Sequence, residues 1–489
     1  MQPSADLILA NRAYMDHEAP FGGENRTPVG KSGLLAAVRP VIGSWDGRTG
    51  TTWVGAGRGR YDRQWTDARG FEIIPTAQGD LRHRRLFFDE GTWQAHYAAV
   101  ANSFFWPLLH LVREPLPDHT AYYPAPEVPS PRDWAAYANV NERFAMAALE
   151  EAPAPRTCWI HDYQLALVPA LLRACAFEGR VGFFLHTTFP DLRVAERYLD
   201  VSGRDALRQF VAGILGADLI GLQSPGDVER FKAAAVELCG AELVSGSVRV
   251  GGRRVRIDAY PVGIDVEEIL EVARDTPRPA RLAGIAAGLP LVVGLERSDY
   301  TKGIPERLNA VARAYREGER FAYMGIAAPT RASVAAYDRL EGAIETAAAG
   351  ASAAAAAASL PFVHACEVID WAEVVALQRE ADVMFTSSLA DGMNLVPLQT
   401  AVAQSLRPPA RRAVIISGRD AGVANAFAGF EADGLVAVDP LDPDQMVRTL
   451  RDALTGRPGR VTDRLIDAVR LHDARAWATQ FLADLEQTC

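Results

Sequence analysis

The sequence predicts an α/β protein built on parallel β-sheets. Continuous apolar runs of strand length recur, as in V-G-F-F-L at 181–185 and P-L-V-V-G-L at 290–295. Such runs are typical of parallel strands that are buried on both faces. Stretches with helical spacing of apolar residues follow several of them, as at 165–174,. Polar residues stand where these strands end, which is where open α/β sheets bind ligands.

Length and composition indicate a globular protein with more than one domain. The chain has 489 residues, of which 49% are apolar and 23% charged, and we expect about two to four domains from that length. The net charge of −10 argues against a nucleic-acid partner. Five scattered cysteines without a C-x-x-C pair, and no apolar run long enough to span a bilayer, predict a cytoplasmic protein without a membrane partner. The sequence leaves self-association into a homo-oligomer open.

The first half of the chain carries polar residues at the ends of three predicted strands. Strands are predicted at 6–10, 51–55, 157–160, 181–185 and 218–222, with a hairpin at 248–257. Arg12 closely follows the first strand, His161-Asp162-Tyr163 follow the third, and His186 follows the fourth. The carboxyl ends of parallel strands meet at one sheet edge, so we expect these side chains to converge. They lack the helical histidine pair or carboxylate cluster of a metal site, and none is predicted.

The second half repeats the strand-and-helix alternation. Predicted strands lie at 290–295, 383–385, 414–417 and 434–438, after a candidate linker at 272–288,. Arg297 and Lys302 flank the loop between the first of these strands and a helix from Pro305. Two cations at a strand-to-helix loop suit a diphosphate, and the alternative is a solvated basic loop. The D-P-D at 442–444 is predicted to be a surface turn rather than a metal site.

The stretch Asp382–Gln404 is the centre of the prediction. A buried strand at 383–385 is followed by a polar turn, a glycine at 392, and a helical pattern from Asn394, which we expect to be its N-cap,. Backbone N–H groups at such a helix start face an anion. The alternative is an ordinary strand-to-helix turn.

Several long motifs, in order, resemble the trehalose-6-phosphate synthase family of retaining glycosyltransferases nearly end to end. The motifs are N-R at 11–12, W-I-H-D-Y-Q-L at 159–165, G-F-F-L-H-T-T-F-P at 182–190, D-L-I-G-L-Q at 218–223, Y-P-V-G-I-D at 260–265, E-R-S-D-Y-T-K-G at 296–303 and L-A-D-G-M-N-L-V at 389–396. The resemblance implies a GT-B fold, in which two Rossmann-like domains with parallel sheets face a central cleft. It implies an acceptor domain at 1–270, a nucleotide-sugar donor domain at 271–470, and a C-terminal helix at 471–489 that returns to the first domain.

The resemblance also implies site residues. Its donor-binding positions are Gly33, Arg297, Lys302, Asp391, Gly392, Met393, Asn394, Leu395, Val396 and Gln399. Its acceptor-binding positions are Arg12, Tyr97, Trp106, Asp162, Tyr163 and Arg331, with Arg12 and Arg331 on the acceptor's phosphate. Its catalytic positions are Arg297, Lys302, Asp162, His186 and Asp391. In this family, the acceptor attacks the sugar from the face that the leaving group occupies. The resemblance therefore implies no enzyme nucleophile, no cofactor and no metal.

Two departures from the family pattern concern the substrates. Gln399 stands where the family has a glutamate for the nucleotide's ribose, and Ala56 stands where it has a tryptophan in the acceptor wall. The glycine loop before Gly33 also differs, since it reads K-S-G-L. Related enzymes with altered acceptor sites are glucosylglycerol-phosphate synthases and pseudoglycosyltransferases, which couple a cyclitol to an aminocyclitol phosphate through nitrogen.

The sequence therefore predicts a retaining glycosyltransferase that moves a glucosyl-like unit from a nucleotide diphosphate sugar to a phosphorylated acceptor. Glucose 6-phosphate is the expected acceptor, and the product is then trehalose 6-phosphate. A C–N-coupling pseudoglycosyltransferase, a glucosylglycerol-phosphate synthase and a catalytically silent regulatory relative are the alternatives. Retention of Arg297, Lys302, Asp162 and His186 argues against the silent relative. The sequence does not distinguish a uridine from a guanosine donor.

Overall fold

The chain forms two compact units, each with its own β-sheet. The computed structural model describes residues 5–21, 33–43, 50–76, 79–114, 122–151, 157–286, 288–331 and 336–488. The first unit comprises Met1–Arg113, Ala125–Val262 and Ala474–Cys489, and the second comprises Glu114–Pro124 and Gly263–Asp473. Among the described residues, no helix combines the length and the apolar character that a membrane crossing requires.

The first unit is built on a ten-stranded sheet. Its strands are β1 Leu7–Arg12, β2 Thr52–Ala56, β3 Phe71–Thr76, β4 Gly79–Leu86, β5 Thr157–His161, β6 Arg180–Phe184, β7 Leu219–Leu222, β8 Glu242–Val244, β9 Ser247–Val250 and β10 Arg253–Ala259. Their order is β3-β4-β2-β1-β5-β6-β7-β10-β9-β8. In this spatial order, each pair of neighbours from β4 through β2, β1, β5, β6 and β7 to β10 is parallel. At the two edges, β3 pairs with β4, and β9 with β10 and β8, in antiparallel hairpins. The hairpin of β9 and β10 is the predicted one, and the hairpin of β3 and β4 was not predicted.

Helices connect these strands. They are α1 Gly33–Val38, α2 Glu90–Gln94, α3 Trp106–Leu109, α4 Pro131–Leu149, α5 Val168–Ala174, α6 Leu192–Ala195, α7 Val201–Ile214 and α8 Pro225–Cys239. A π-helical segment, Ala95–Phe105, joins α2 to α3. The boundaries of α8 show local control by sequence: the Ser224 hydroxyl accepts from the N–H of Asp227, and Gly240 ends the helix with φ +64°. Glycine reaches that left-handed conformation without a steric penalty.

The second unit carries a six-stranded sheet in which every pair is parallel. Its strands are β11 Leu291–Arg297, β12 Ala322–Ala328, β13 Phe362–Ala365, β14 Val383–Phe385, β15 Val414–Gly418 and β16 Leu435–Val438. Its helices are α9 Val266–Asp275, α10 Ile304–Arg316, α11 Ala336–Ala357, α12 Trp371–Glu380, α13 Val396–Gln404, α14 Gly422–Ala426, α15 Pro443–Leu454 and α16 Asp463–Leu471. In the strand order β13-β12-β11-β14-β15-β16, successive strands are added on one side of β11 up to β13 and on its other side from β14 onward. Open α/β sheets bind ligands at the carboxyl ends of the strands at such a switch point.

The division between the units differs from the boundary at residue 270 that the sequence suggested. That residue lies inside α9, and α9 belongs to the second unit, as does the segment 272–288. The segment Glu114–Pro124 also belongs to the second unit, which no sequence pattern indicated. The acceptor and donor roles of the two units remain a prediction.

The last helix, α17 Ala474–Glu486, packs in the first unit. The ring of Phe481 stacks on Trp159 of β5 at a centroid distance of 4.9 Å. The indole N–H of Trp477 donates to the carbonyl of Tyr260 at 3.1 Å, and the Tyr260 hydroxyl donates to Asp484 at 2.8 Å. A Cβ on Gly182 would lie 2.8 Å from the ring of Phe481, so a larger residue there would require the side chains of α17 to shift.

Candidate active site

The loop between β14 and α13 lies at the switch point of the second sheet. Its first residues are buried, and the Ser387 hydroxyl donates to the carbonyls of Lys302 and Gly303 at 3.0 and 2.8 Å. Gly303 has φ +60°, and a Cβ there would lie 2.2 Å from the Ser387 carbonyl oxygen. The T-K-G loop after β11 and the loop after β14 are therefore locked together, because only glycine allows this approach.

Lys302 and Asp391 form an ion pair inside this loop arrangement. The Lys302 ammonium donates to Asp391 Oδ2, and the two side chains are only 10% and 14% exposed. The hydroxyl of Ser388 donates to the same oxygen at 3.2 Å. Lys302 is thus not a solvated surface lysine. The structure brings together two residues that the sequence assigned to one site from motifs 89 positions apart.

Four consecutive backbone N–H groups follow Asp391. Gly392, Met393 and Asn394 are buried and Leu395 is half-buried. Within the part of the chain that the structure describes, the N–H groups of 392–395 donate no hydrogen bond. Buried N–H groups are almost always paired in folded proteins. A row of them at a strand end therefore suits the oxygens of a bound ligand.

The predicted N-cap at Asn394 is wrong. Helix α13 begins at Val396, its N-cap position is Leu395, and no side chain caps it. Asn394 adopts φ +59°, a conformation that asparagine tolerates better than most residues. Its side-chain oxygen accepts from the N–H of Val396 at 3.3 Å, and its amide donates to Ser388 at 3.1 Å. Asn394 therefore shapes the loop before the helix, and the free N–H groups belong to that loop.

Gln399 lies on the first turns of α13 and is half-buried. Its carboxamide oxygen accepts from the Nε2 of Gln378 on α12 at 3.1 Å. Gln378 is fully buried. The side-chain oxygen of Gln399 thus already accepts a hydrogen bond from Gln378. The side-chain NH₂ group of Gln399 is the part that can donate to a ligand.

Arg297 ends β11 and is exposed, whereas Arg331 follows β12 and is largely buried. Arg331 has φ +49°, and its Nη1 donates to Asp299 at 2.8 Å and to the Tyr337 hydroxyl at 2.7 Å. Burial opposes ionisation of Asp299, but Arg331, Arg297 and Lys302 outweigh it and hold the pKa of this carboxyl below its ordinary value,. Asp299 was not singled out from the sequence, although it lies inside the E-R-S-D-Y-T-K-G motif.

In the first unit, Asp162 and His186 meet at the ends of β5 and β6. Asp162 has φ +75°, a strained conformation for a residue with a side chain, and such strain is often found at functional sites. Its N–H donates to the carbonyl of Phe184 at 2.8 Å, and its Oδ1 accepts from the N–H of His186 at 3.2 Å. Of the strand ends that were predicted to converge, these contacts join those of β5 and β6, whereas the place of Arg12 beside them stays a prediction.

His186 pairs with His161. Their ring atoms Nε2 and Nδ1 lie 3.1 Å apart, so one ring donates its N–H to the other. Burial lowers the pKa of His186 to about 3. Burial, with a smaller contribution from the neighbouring His186 ring, lowers the pKa of His161 well below its usual value. Both rings are therefore neutral at neutral pH, and they can exchange hydrogen bonds but carry no charge.

The predicted acceptor residues of the first unit differ in exposure. Arg12 ends β1, and its Nη2 donates to the hydroxyl of Tyr97, a half-buried residue of the π-helical segment, at 3.2 Å. Trp106 is buried at the start of α3, and its ring lies 5.9 Å from that of Tyr163. Tyr163 is only 1% exposed and donates its hydroxyl hydrogen to Asn102 at 3.1 Å. Its ring belongs to the core of this unit, and its contact with the acceptor stays a prediction.

The remaining positions are placed as follows. Gly33 is the first residue of α1, and the loop that precedes it lies outside the described residues. Ala56 ends β2 and is buried. Asp442 caps α15 by accepting from the N–H of Gln445, and Asp444 pairs with Arg313, so D-P-D forms a helix start. No group of three or more His, Cys, Asp or Glu side chains that could hold a metal occurs among the described residues.

Comparison with known proteins identifies the class. The family model for glycosyltransferase family 20 matches residues 7–487. The trehalose-6-phosphate synthase of Mycobacterium tuberculosis is 30% identical over 97% of this chain and 93% of its own length. The Aspergillus fumigatus protein named alpha,alpha-trehalose-phosphate synthase [UDP-forming] 2 is 27% identical over 98% and 97%. A solved alpha,alpha-trehalose-phosphate synthase (UDP-forming) from Burkholderia xenovorans, in complex with glucose-6-phosphate, is 25% identical. It covers 98% of this chain and 99% of its own, with a TM-score of 0.76.

The protein is a glycosyltransferase with the GT-B fold. More particularly, the chain belongs to glycosyltransferase family 20. The predicted fold class and the resemblance to the trehalose-6-phosphate synthase family are thereby confirmed. The catalytically silent relative, one of the alternatives left by the sequence, is not supported.

Proposed function

We propose that this chain transfers a glucosyl unit, with retention of anomeric configuration, from UDP-glucose to glucose 6-phosphate and so forms trehalose 6-phosphate. The observation that carries this proposal is the loop after β14, where Lys302 and Asp391 pair beside four N–H groups that have no partner in the described chain. The names of the relatives support the uridine nucleotide and the acceptor.

Arg297 and Lys302 stabilise the leaving diphosphate. Negative charge develops on that group as the bond to the sugar C1 breaks, and fixed cations in a protected site stabilise it more than water does. Lys302 is held in place by Asp391 and by the locked Gly303 loop, so little reorganisation is needed. Asp391 keeps a second carboxylate oxygen, which we assign to a hydroxyl of the donor sugar.

The row of N–H groups from Gly392 to Leu395 binds oxygens of the donor. These groups are fixed by the bonds of Asn394 to Ser388 and Val396. They offer hydrogen bonds without a net charge, which suits sugar hydroxyls and phosphate oxygens alike. Val396 begins the helix behind them, and Gln399 reaches the ribose with its amide donor.

Asp162 and His186 orient the sugar hydroxyls, with Gly33 at the donor and with Tyr97, Trp106 and Tyr163 at the acceptor. The Asp162 carboxylate accepts hydrogen bonds from these hydroxyls, and the neutral His186 offers a hydrogen bond without competing for the diphosphate as a cation would. Arg12 and Arg331 keep the predicted role of binding the acceptor's phosphate. The acceptor hydroxyl oxygen bonds to the sugar C1 on the face that the diphosphate leaves, as the bond between C1 and the diphosphate oxygen breaks. The proton of that hydroxyl passes to the departing diphosphate, and no enzyme nucleophile takes part.

The test is an assay of glucose 6-phosphate against glucose, with UDP-glucose and GDP-glucose as donors. Two charge-assisted hydrogen bonds from an arginine contribute about 1.5–3 kcal/mol each, so we expect kcat/KM to fall at least ~100-fold without the phosphate. In Arg331→Ala the preference for the phosphorylated acceptor should shrink toward unity. An unchanged preference in wild type would refute a phosphate site.

Product analysis in the same assay separates the enzyme from its relatives. The proposed product is a non-reducing disaccharide phosphate with α,α linkage, identified by NMR. Turnover with glycerol 3-phosphate, or with an aminocyclitol phosphate and a nucleotide-activated cyclitol, at a higher kcat/KM than with glucose 6-phosphate would replace this proposal. Ala56 and Gln399 are the two departures that make this comparison necessary.

We also propose that the reaction takes place in the cytoplasm. Cys158, Cys175, Cys239 and Cys366 are free thiols, as expected in a reducing compartment. The partners are then the nucleotide sugar and the phosphorylated acceptor. Light scattering at several concentrations tests for the homo-oligomer that the sequence left open.

A further inference from the structure

Asp299 lies at the centre of a buried polar cluster in the second unit. This Asp299 cluster consists of Asp299, Thr301, Arg331 and Tyr337. Asp299 is 0% exposed. Its Oδ2 accepts from Arg331 Nη1 at 2.8 Å and from the Tyr337 hydroxyl at 3.1 Å. Arg331 Nη1 also donates to the Tyr337 oxygen at 2.7 Å, so three side chains close a triangle of hydrogen bonds.

The other carboxylate oxygen of Asp299 serves a different element. Its Oδ1 accepts from the backbone N–H and from the hydroxyl of Thr301, both at 3.1 Å. The Asp299 carbonyl accepts from the N–H of Lys302 at 3.0 Å. One carboxylate therefore shapes the turn that carries Lys302 with one oxygen, and holds Arg331 with the other.

The charge of Asp299 suits this double task. The nearby cations keep its pKa low, so the carboxylate is ionised across the working pH range. A carboxylate holds a guanidinium more strongly than a neutral acceptor does, because the ion pair adds to the hydrogen bond. Arg331 has a long flexible side chain, and fixing it before the ligand arrives removes the entropic cost of ordering it on binding.

We propose that Asp299 is a positioning residue that fixes the guanidinium of Arg331 for the phosphate of the acceptor, while it separately shapes the turn of Lys302. The inference rests on the proposed function, since that function assigns Arg331 to the acceptor's phosphate. It adds a residue that touches neither substrate and links the two loops that would bind them.

Two substitutions of Asp299 separate its two tasks. Asparagine keeps a side-chain oxygen that can accept from the N–H of Thr301, but it removes the charge that holds Arg331. We expect Asp299→Asn to raise KM for glucose 6-phosphate about tenfold, with kcat and KM for UDP-glucose within about twofold of wild type. Asp299→Ala removes both tasks, so kcat should fall at least about tenfold as well.

A double-mutant cycle shows whether Asp299 acts through Arg331. In an Arg331→Ala background, Asp299→Asn should leave KM for glucose 6-phosphate unchanged, because the side chain that it positions is gone. Tyr337→Phe removes only a hydroxyl from the cluster and should raise this KM a few-fold. It is the second variant in case the Asp299 variants fold poorly, and melting temperatures are measured for all five proteins, the double mutant included.

The outcomes are distinguishable. If Arg331→Ala raises KM for glucose 6-phosphate but Asp299→Asn and Tyr337→Phe do not, the positioning role is refuted while the phosphate site stands. The positioning role is also refuted if the two substitutions have additive effects on KM for glucose 6-phosphate in the double mutant. It is refuted too if the Asp299 variants lower only the fraction of active enzyme and the melting temperature, with this KM unchanged. If Arg331→Ala itself leaves this KM unchanged, the proposed phosphate role of Arg331 fails, and the role of Asp299 fails with it.

Discussion

The two units present their candidate residues in opposite electrostatic settings. At the ends of β11 and β14, the cations Arg297 and Lys302 lie near Asp299, whose pKa they help to lower, and within the described chain the N–H groups of 392–395 donate no hydrogen bond. At the ends of β5 and β6, His161 and His186 are neutral and share one hydrogen bond. A departing diphosphate needs fixed positive charge, whereas a sugar hydroxyl needs direction. In the proposed function, the same type of strand end is adapted to these two tasks by the charge of its side chains.

Removing a cation from the second unit is the strongest way to break this contrast. Arg297→Ala and Lys302→Ala should each lose about 2–4 kcal/mol of transition-state stabilisation, roughly 10²–10³-fold in kcat/KM for UDP-glucose. Steady-state kinetics measure this. Arg448→Ala, at an exposed position of α15, is the matched control. Rates within threefold of wild type for both variants would contradict the diphosphate assignment.

Acid should destabilise the first unit, because several of its buried histidines are neutral in the folded protein. The pKa values of His96 and His186 are lowered to about 3 and that of His83 to about 4, in each case mainly by burial. Such a histidine binds a proton in the unfolded chain below pH ~6.5 but not in the folded one. The free energy of unfolding therefore decreases as the pH is lowered. The decrease is about 1.4 kcal/mol per pH unit for each group, between pH ~6.5 and the pKa of that group in the folded protein.

Among the described residues of the second unit, His364 is a histidine of this kind, because burial lowers its pKa to about 4. Hydrogen exchange followed by mass spectrometry at pH 7 and pH 5, corrected for intrinsic rates, should show the first unit losing protection more than the second. Earlier loss in the second unit would argue against neutral histidines in the first.

Gln399→Glu sharpens the comparison within the second unit. A carboxylate can accept from Gln378 with one oxygen and from a ribose hydroxyl with the other, and charged hydrogen bonds are stronger than neutral ones by about 1 kcal/mol. We expect KM for UDP-glucose to fall about fivefold, and discrimination against the 2′-deoxy nucleotide to rise by a similar factor. Gln487→Glu, at an exposed position, controls for the added charge. No change in either quantity would remove Gln399 from the ribose site.

Chelation should have the smallest effect. In the proposed site, two cations and a row of N–H groups provide the positive potential at the leaving group, so activity should persist in EDTA within the error of the assay. Complete loss in EDTA, restored by Mg²⁺ or Mn²⁺, would contradict this division of labour. Asp442→Asn and Asp444→Asn would then be the first variants to assay.

Much of the fold could be predicted because its signals are local. Continuous apolar runs marked β6 and β11, and the G-G pair marked the hairpin of β9 and β10. The hairpin of β3 and β4 was missed since its sequence carries charged residues, among them a buried Arg85 that pairs with Glu72 and Asp62. Apolar periodicity cannot identify a strand whose polar groups are paired across the sheet.

The candidate site was predictable in its motifs but not in its pairings. The sequence identified Arg297, Lys302, Asp391 and Asp162, because each stands at the end of a predicted strand or in a family motif. It gave no indication that Asp299 holds Arg331, or that α13 begins at Val396 rather than Asn394. It placed His161 near His186 but not in a direct hydrogen bond between the two rings. Each of these depends on a contact outside the local pattern or on one backbone dihedral angle.

The sequence by itself thus determined the α/β class, the parallel strands and the family, because burial pattern and motif order are properties of neighbouring residues. The tertiary structure alone decided which charges are paired and which N–H groups are left without a partner. Those outcomes depend on strand order. Because the strand order places β14 beside β11, Lys302 meets Asp391, 89 positions later in the chain. No pattern within either segment indicates that the two side chains meet.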